Sequence, residues 1–598
     1  MADEKSRSRA LVLEALRRIA AEKHIEADFA SEQIPLETPP SAELGDIGMP
    51  LFAFARIFRM APSAIAQQVA GLIGRQDLGE FVAEGPYINV RLNKAASAYG
   101  ILSAIAAQGA RYGSFAEDGA APLAGRRVMV EFSSPNTNKP LHLGHLRNDA
   151  LGESVSRILK AAGADVYKVN IINNRGVHIC KSMLAYQRFH QANGDTPESL
   201  GIKSDRFVGD CYVEFDKWSR EDPHANQLAE EMLVKWEAGD AEIRALWERM
   251  NAWAISGVRQ TYERTGVSFD KLYYESETYL KGRDEIYRGL EKGIFFRAED
   301  GSVRIDVTDV TGRGKDGELQ EKVLLRNDGT SVYITQDIGT AISRHDDWDF
   351  NQLVYVVASE QNYHFKVLFY ILRKLGYAWA DKLFHLSYGL VNLPSGRMKS
   401  REGTVVDADD LIDQLRDDAL AEIRAKGREP ELGNPSEVAE KIAVAALHYY
   451  LLQVTPIKDM LFNPQESLSF TGNTGPYLQY MGARISSILR KAEEGGIAPD
   501  GSEASAALLT DPAEWDLTKL LGEFPAVVAK AAQSLDPSSV AVYLYEVCKA
   551  FSRFYHDCPI LSAETDALRS ARLFLAQCTL TVLRRAMHLV LVPFVEAM

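Results

Sequence analysis

The chain has 598 residues, of which 46% are hydrophobic and 25% charged, with a net charge of −15. That balance suits a folded, water-soluble protein of roughly three to five domains and excludes a disordered or fibrous chain. No apolar run is long enough to cross a bilayer, and the acidic total disfavours nucleic acid as a partner unless a local basic face is hidden within it.

The opening MADEKSRSRA lacks the apolar core of a signal peptide. Five scattered cysteines (Cys180, Cys211, Cys548, Cys558 and Cys578) form no C-x-x-C pair, which argues against a disulfide framework or a cysteine zinc site and points to the cytoplasm. Leu11, Leu13, Leu16 and Ile19 fall near helical spacing and predict an amphipathic first helix. A proline-rich break follows, then more helix and the strand-like PYINVRL. Residues 117–127 read as a linker. VMVEF (128–132) has the pattern of a buried parallel strand, and Leu151, Val155, Ile158, Leu159 and Ala162 mark a helix face that ends at Gly163. VYKVNII then predicts a second strand, so that strand, loop, helix and strand make a nucleotide-binding βαβ unit. Residues 180–300 read as a helical insertion. The sheet resumes with SVYIT, LVYVVA (353–358), a helix ending at Gly376, and HLSYGLVNL (385–393) as one strand. From about 408 onward the pattern is helical to the end.

The stretch SPNTNKPLHLGHLR (134–147) falls between the first strand and its helix, at the carboxyl end of the predicted sheet. His142 and His145 lie three apart with no third ligand nearby in sequence, fewer than zinc usually takes. Two loop histidines satisfied by the backbone are one alternative. A phosphate cradle uses more of the residues: a helix N-terminus offers free N–H groups, Gly144 permits close approach, and Lys139, His142 and His145 donate to phosphate oxygens.

HLGH after a strand resembles the HIGH signature of class I aminoacyl-tRNA synthetases, and the extended string SSPNTNKPLHLGHLRN most resembles the arginyl-tRNA synthetases. The resemblance implies a second, lysine-rich KMSKS loop, matched by SGRMKSREGTVV (395–406). Arg397, Met398, Lys399 and Ser400 join the first motif there as ATP contacts, with Lys139, His142, His145 and Lys399 as the catalytic set. Ser400 stands where the class has lysine. In this family a lysine ahead of the first motif, here Lys139, supplies the missing charge. Arginine, a planar permanent cation, is best met by carboxylates. By match the arginine site comprises Glu275 from YYES, Tyr333 and Asp337 from LRNDGTSVYITQDIGTA, Gln361 from SEQNYHF, and Ser134 with Asn136 near the α-amino end. Where many members carry G-D-W-G, this chain has NNRG (173–176), which leaves the role of that loop open.

The implied architecture is multidomain α/β: an N-terminal α+β domain (1–116) that contacts the tRNA elbow, a Rossmann-type parallel-sheet catalytic domain (125–407) with the helical insertion, and an all-α DALR-type anticodon-binding domain (408–598). Tyr477, Tyr480 and Tyr555 are the aromatic candidates for stacking on unpaired anticodon bases, with bundle core as their alternative, and Met598 and Asn89 complete the tRNA-binding set. Arg484, Arg490, Lys491, Arg569 and Arg572 supply local positive charge if they share a face. The implied activity is ATP- and Mg²⁺-dependent ligation of L-arginine to tRNA-Arg by a cytoplasmic monomer, with activation requiring bound tRNA and no resident metal. The rival readings are another class I synthetase and a catalytically silent RNA-binding paralogue.

Overall fold

A computed structural model describes residues 2–26, 29–115, 121–315, 318–394 and 406–598. The candidate loop residues Arg397, Met398, Lys399 and Ser400 lie outside the described residues.

The N-terminal part begins with α1 (Ala2–Glu22) and contains a four-stranded antiparallel sheet of β1 (Ile47–Pro50), β2 (Arg75–Gln76), β3 (Gly79–Glu84) and β4 (Tyr87–Leu92) in the order β1-β4-β3-β2. Helices α2 (Pro62–Ile73) and α3 (Lys94–Gln108) accompany it; Pro62 opens α2, where a missing N–H costs nothing. In α1 the buried face is Val12, Ala15, Leu16 and Ile19, so the apolar stripe runs one residue off the expected one, with Leu11 and Leu13 on its flanks.

The central sheet is parallel and five-stranded, ordered β12-β11-β5-β6-β7. Its strands are β5 (Arg127–Glu131), β6 (Asp165–Ile172), β7 (Lys271–Tyr274), β11 (Gln352–Ala358) and β12 (Leu383–Tyr388). From β5 the chain steps outward through β6 and β7, then returns to the other side of β5 as β11. The reversal lies between β5 and β11, where open α/β sheets bind ligands beyond their carboxyl ends. Helix α4 (Leu143–Ala161) crosses from β5 to β6, buried along almost its whole length.

The helical insertion is α5 (Val177–Phe189), α6 (Ser204–Glu221), α7 (His224–Glu237) and α8 (Ala241–Thr265), with its own apolar core around Met183, Phe207, Phe215 and Trp236. It is shorter than the sequence pattern suggests, because β7 is already back in the central sheet. Beyond β7 come α9 (Glu275–Glu291) and a small antiparallel sheet of β8 (Phe296–Arg297), β9 (Val303–Asp306) and β10 (Glu321–Leu325).

SVYIT does not form a strand. Ser331 makes one bridge to Leu325, and Tyr333 opens α10 (Tyr333–Asp347), which buries Ile334, Thr335, Ile338, Ala341 and Ile342 at helical spacing. The β-branched cluster mimicked a strand, but burial on one helical face outweighs that weak preference. HLSYGLVNL likewise splits. After α11 (Asn362–Lys374), β12 ends at Tyr388, and β13 (Val391–Asn392) pairs in parallel with β14 (Met460–Leu461), outside the central sheet.

The C-terminal part is helical: α12 (Ala408–Ala425), α13 (Pro435–Leu452), α14 (Gly475–Glu494), α15 (Pro512–Ser534), α16 (Ser538–Asp557) and α17 (Asp566–Leu589). One apolar core runs without a break from the N-terminal part through the α4 face of the central sheet into this bundle. Among the described residues no helix is long and apolar enough to cross a membrane. All five cysteines are buried and unpaired.

Candidate active site

The loop from Phe132 to Leu141 rises from the end of β5 at the sheet reversal. Ser133 and Ser134 both hold left-handed backbone conformations (φ +76° and +52°), uncommon for residues with a side chain and a form of strain that persists only when neighbours enforce it. Three asparagines do so here. The Asn148 carboxamide accepts from Ser133 N at 2.5 Å, Asn170 accepts from Ser134 N at 2.9 Å, and Asn173 Nδ2 donates to Ser134 O at 3.1 Å. The loop is therefore fixed before any ligand arrives.

His142 and His145 form a helix cap with each other. His142 N–H donates to His145 Nδ1 at 3.1 Å, and Gly144 N–H donates to His142 Nδ1 at 3.1 Å, a reciprocal arrangement at the start of α4. An imidazole that accepts at Nδ1 carries its proton on Nε2, so each ring keeps one N–H donor at Nε2. Burial holds both rings neutral: His142 is pushed down to about 4 and His145 well below the usual histidine range, with Lys139 adding to the effect. The spacing that failed as a metal site thus has a structural cause. The two rings lie 3.9 Å apart, with His142 on the cleft wall and His145 packed against it. A Cβ at Gly144 would stand 3.0 Å from the His142 ring, so bare backbone there also makes room for that ring.

A cleft of about 1200 Å³ opens at this point. Of the residues singled out from the sequence, Ser134, Asn136, Lys139, His142, Glu275, Tyr333, Asp337 and Gln361 line it, drawn from separate segments of the chain. Burial lowers the Lys139 ammonium. Helices α9 and α10 bring Glu275 and Asp337 together. They cross with Gly282 against the Thr335 carbonyl and Gly339 against the Thr278 carbonyl, closer than any Cβ would allow. Tyr333 is 73% exposed at the mouth.

The acids are in unlike states. Burial raises Glu275 to about 7, opposed by the Arg175 guanidinium and reinforced by Asp337. Asp337 Oδ2 meets His364 Nε2 at 2.6 Å. Glu131, at the end of β5, is bonded by buried Arg344 and by Ser134 Oγ at 3.3 Å; burial pushes its carboxyl up against the pull of Arg344. Glu131 and His364 both line the cleft and were missed as site residues, although an acid inside the apolar run VMVEF was a visible signal.

The NNRG loop is a clamp. Asn174 exchanges two hydrogen bonds of 3.0 Å with Ser276, and Arg175 pairs with Glu237 of α7 and lies 3.9 Å over the Tyr279 ring. It therefore fastens the insertion to the helix start that carries Glu275. Arg147 is fully buried and donates to the carbonyls of Leu390, Pro456 and Lys458 at 3.3, 3.0 and 2.8 Å.

Although 395–405 lie outside the described residues, the chain just beyond them sits on the first motif. Leu143 N donates to Val406 O at 3.3 Å, Ala408 N to Leu141 O at 2.9 Å, and His142 bridges Asp407. Asp409 in the first turn of α12 accepts from Lys203 at 2.7 Å and from Arg264 at 3.0 Å, and Asp410 accepts from Arg206 at 2.7 Å, joining the insertion to α12.

Among the described residues one group of possible metal ligands occurs: His190, Cys211 and Glu214 of the insertion. Both nitrogens of His190 are taken by carboxylates, Asp195 at 2.9 Å and Glu214 at 2.8 Å, and its charge is favoured accordingly.

On the bundle surface Arg484 lies 5.2 Å over Tyr480 and 4.9 Å over Tyr555, both exposed. Tyr477 is half-buried edge-on to Tyr545, and Met598 packs near α12 residues Ala419 and Ile423. Asn89 is 5% exposed within β4, between β1 and β3. Arg572 is mostly buried on Glu514.

Three family models match the chain: tRNA synthetases class I (R), catalytic domain, over residues 116–464; the DALR anticodon binding domain over 478–598; and the arginyl tRNA synthetase N terminal domain over 7–92. An arginine–tRNA ligase of Treponema denticola is 60% identical over 95% of each chain, and one of Parabacteroides distasonis is 44% identical over 96% of this chain and 97% of its own. Among solved structures, the arginyl-tRNA synthetase of Thermus thermophilus superposes with a TM-score of 0.78 at 28% identity, covering 99% of this chain and all of that one.

Proposed function

The chain belongs to the class I arginyl-tRNA synthetases, and from that premise we propose how its cleft carries out the reaction. The protein ligates L-arginine to tRNA-Arg at the expense of ATP. The arginine carboxylate attacks the α-phosphate to give arginyl-adenylate and pyrophosphate, and a terminal ribose hydroxyl of the tRNA then takes the arginyl group.

Glu275 and Asp337 meet the guanidinium, with Tyr333 at the mouth and Gln361 on the wall; Ser134 and Asn136 hold the α-amino end. The Nε2–H of His142 donates to phosphate oxygen, its tautomer set by the Gly144 N–H on Nδ1, and His145, packed on that ring, is the second ATP contact of the motif. Lys139 stabilises charge on the leaving pyrophosphate in place of the class lysine for which Ser400 stands, and Arg397, Met398, Lys399 and Ser400 of the second motif are the remaining ATP contacts. No side chain acts as a nucleophile. Catalysis is positioning plus electrostatic stabilisation. The observation that carries this reading is the convergence of Lys139, His142, Glu275 and Asp337 on one cleft.

Mg²⁺ enters with ATP. The phosphate oxygens of ATP would hold it, and it would neutralise charge developing on the leaving pyrophosphate; of the acids on the cleft wall, Asp407 caps α12 through Oδ1 and Asp410 pairs with Arg206. Residues 1–116, 125–407 and 408–598 serve as tRNA-elbow, catalytic and anticodon units of a cytoplasmic monomer. Tyr480 and Tyr555, with Arg484 between them, form the base-stacking face; Tyr477 and Met598 are further tRNA contacts of the bundle, and Asn89 is that of the N-terminal unit.

Purified protein charging tRNA-Arg with arginine, ATP and Mg²⁺ is the direct test, and no charging would refute the reading. Lys139→Ala should lower arginine-dependent ATP–pyrophosphate exchange by roughly 10²-fold, the usual scale for one electrostatic donor. Its tRNA affinity should stay unchanged, and an equal loss in both would make Lys139 an RNA contact or a structural residue.

A further inference from the structure

Asp337 occupies the second turn of α10, and nothing on its own helix fixes its carboxylate plane. The neighbour that does is His364, in the first turn of α11, whose Nε2 stands 2.6 Å from Asp337 Oδ2. The imidazole side chain is only 18% exposed, against 39% for Asp337. It is held edge-on by Phe365 at 5.6 Å, and Phe365 is itself packed on His385 at 4.4 Å. His364 and Asp337 both face the cleft, alongside Gln361 and Tyr363. A rigid donor therefore grips one oxygen of an acid that is otherwise free to rotate.

A carboxylate offers about four acceptor sites, and a guanidinium fork uses two of them in one plane, one on each oxygen. His364 takes a single site on Oδ2. That leaves Oδ1 and the second lone pair of Oδ2, the set that a planar two-pronged donor requires. We propose that His364 is the positioning residue of guanidinium recognition: its Nε2–H fixes the plane of the Asp337 carboxylate so that both oxygens meet the arginine fork together. It touches neither substrate nor reacting atoms, and its action is confined to arginine binding. This deepens the reading of Asp337 given above and rests on it.

Steady-state ATP–pyrophosphate exchange with full-length protein and tRNA, varying arginine and ATP separately, provides the test. His364→Ala should raise the KM for arginine roughly ten-fold, the scale of one hydrogen bond to a charged group, with kcat and the KM for ATP within about two-fold. His364→Gln, whose amide N–H reaches the place of Nε2, should return the arginine KM to within about three-fold of the parent. His364→Asn, with the same polarity but an N–H that falls short, should not. Unchanged arginine KM in His364→Ala, parallel rises in both KM values, or equal behaviour of Gln and Asn would overturn the proposal. Asp337→Asn separates the two levels. If it raises the arginine KM while His364→Ala does not, only the positioning role fails; if it leaves that KM unchanged, the assignment of Asp337 to the guanidinium fails first.

Discussion

Glu275 opens α9 as a mostly buried residue of the cleft wall, and its carboxyl is held at about 7, mainly by burial. A protonated acid cannot pair with a guanidinium, so arginine selects the ionised form. The sign follows: the KM for arginine should fall as pH rises toward 7 and level off above it, and Glu275→Gln should remove that slope while raising KM throughout. Arginine titrations between pH 6 and 8 check this. Residues such as Lys139, His142 and Glu275 were legible because each belongs to a contiguous string. Glu131 and Arg344 were not, because 213 positions separate the two halves of that buried pair and only the folded sheet joins them. The left-handed Ser133 and Ser134 were equally invisible, since serine has no local preference that announces such a backbone.

The start of α4 combines two duties in one pair of side chains, capping a helix and presenting N–H donors. They can be separated. Asparagine is among the best capping residues, so His142→Asn should keep the helix within about 1 kcal/mol of its parent stability in urea unfolding. Adenylate formation should nonetheless drop by about 10²-fold or more through loss of the Nε2 donor. A His142→Asn protein that exchanges pyrophosphate normally would show that the ring acts only as a cap. Element type was readable wherever burial had a clear period, as in α4 and β11. SVYIT misled because its β-branched residues fit either structure; burial along one helical face, together with the close Gly282–Gly339 crossing with α9, selects the helix.

At the scale of the whole chain, the three matched segments behave as one folded body. Asp46 in the N-terminal part accepts from Trp515 of α15 at 2.9 Å and from its own Leu92 N at 3.1 Å, and pairs with Lys519 at 3.2 Å. Asp46→Ala strands two buried donors, so it should lower the stability to denaturant by about 1–3 kcal/mol. The KM values for arginine and ATP should not move, because the site is elsewhere. Division into three parts was visible in the sequence from composition and motifs, whereas their fusion through one core was not, since no local pattern encodes a contact 469 positions apart. Arg147 carries the point furthest. Its two terminal nitrogens donate to carbonyls at 390, 456 and 458, on both sides of the notional boundary near 408. A chimaera that grafted a foreign bundle at that boundary would keep the cation and leave two of its three acceptors to the path of a foreign backbone. Modular exchange between relatives should therefore succeed best with junctions placed after Leu461, where the host keeps the whole socket and β14 stays intact.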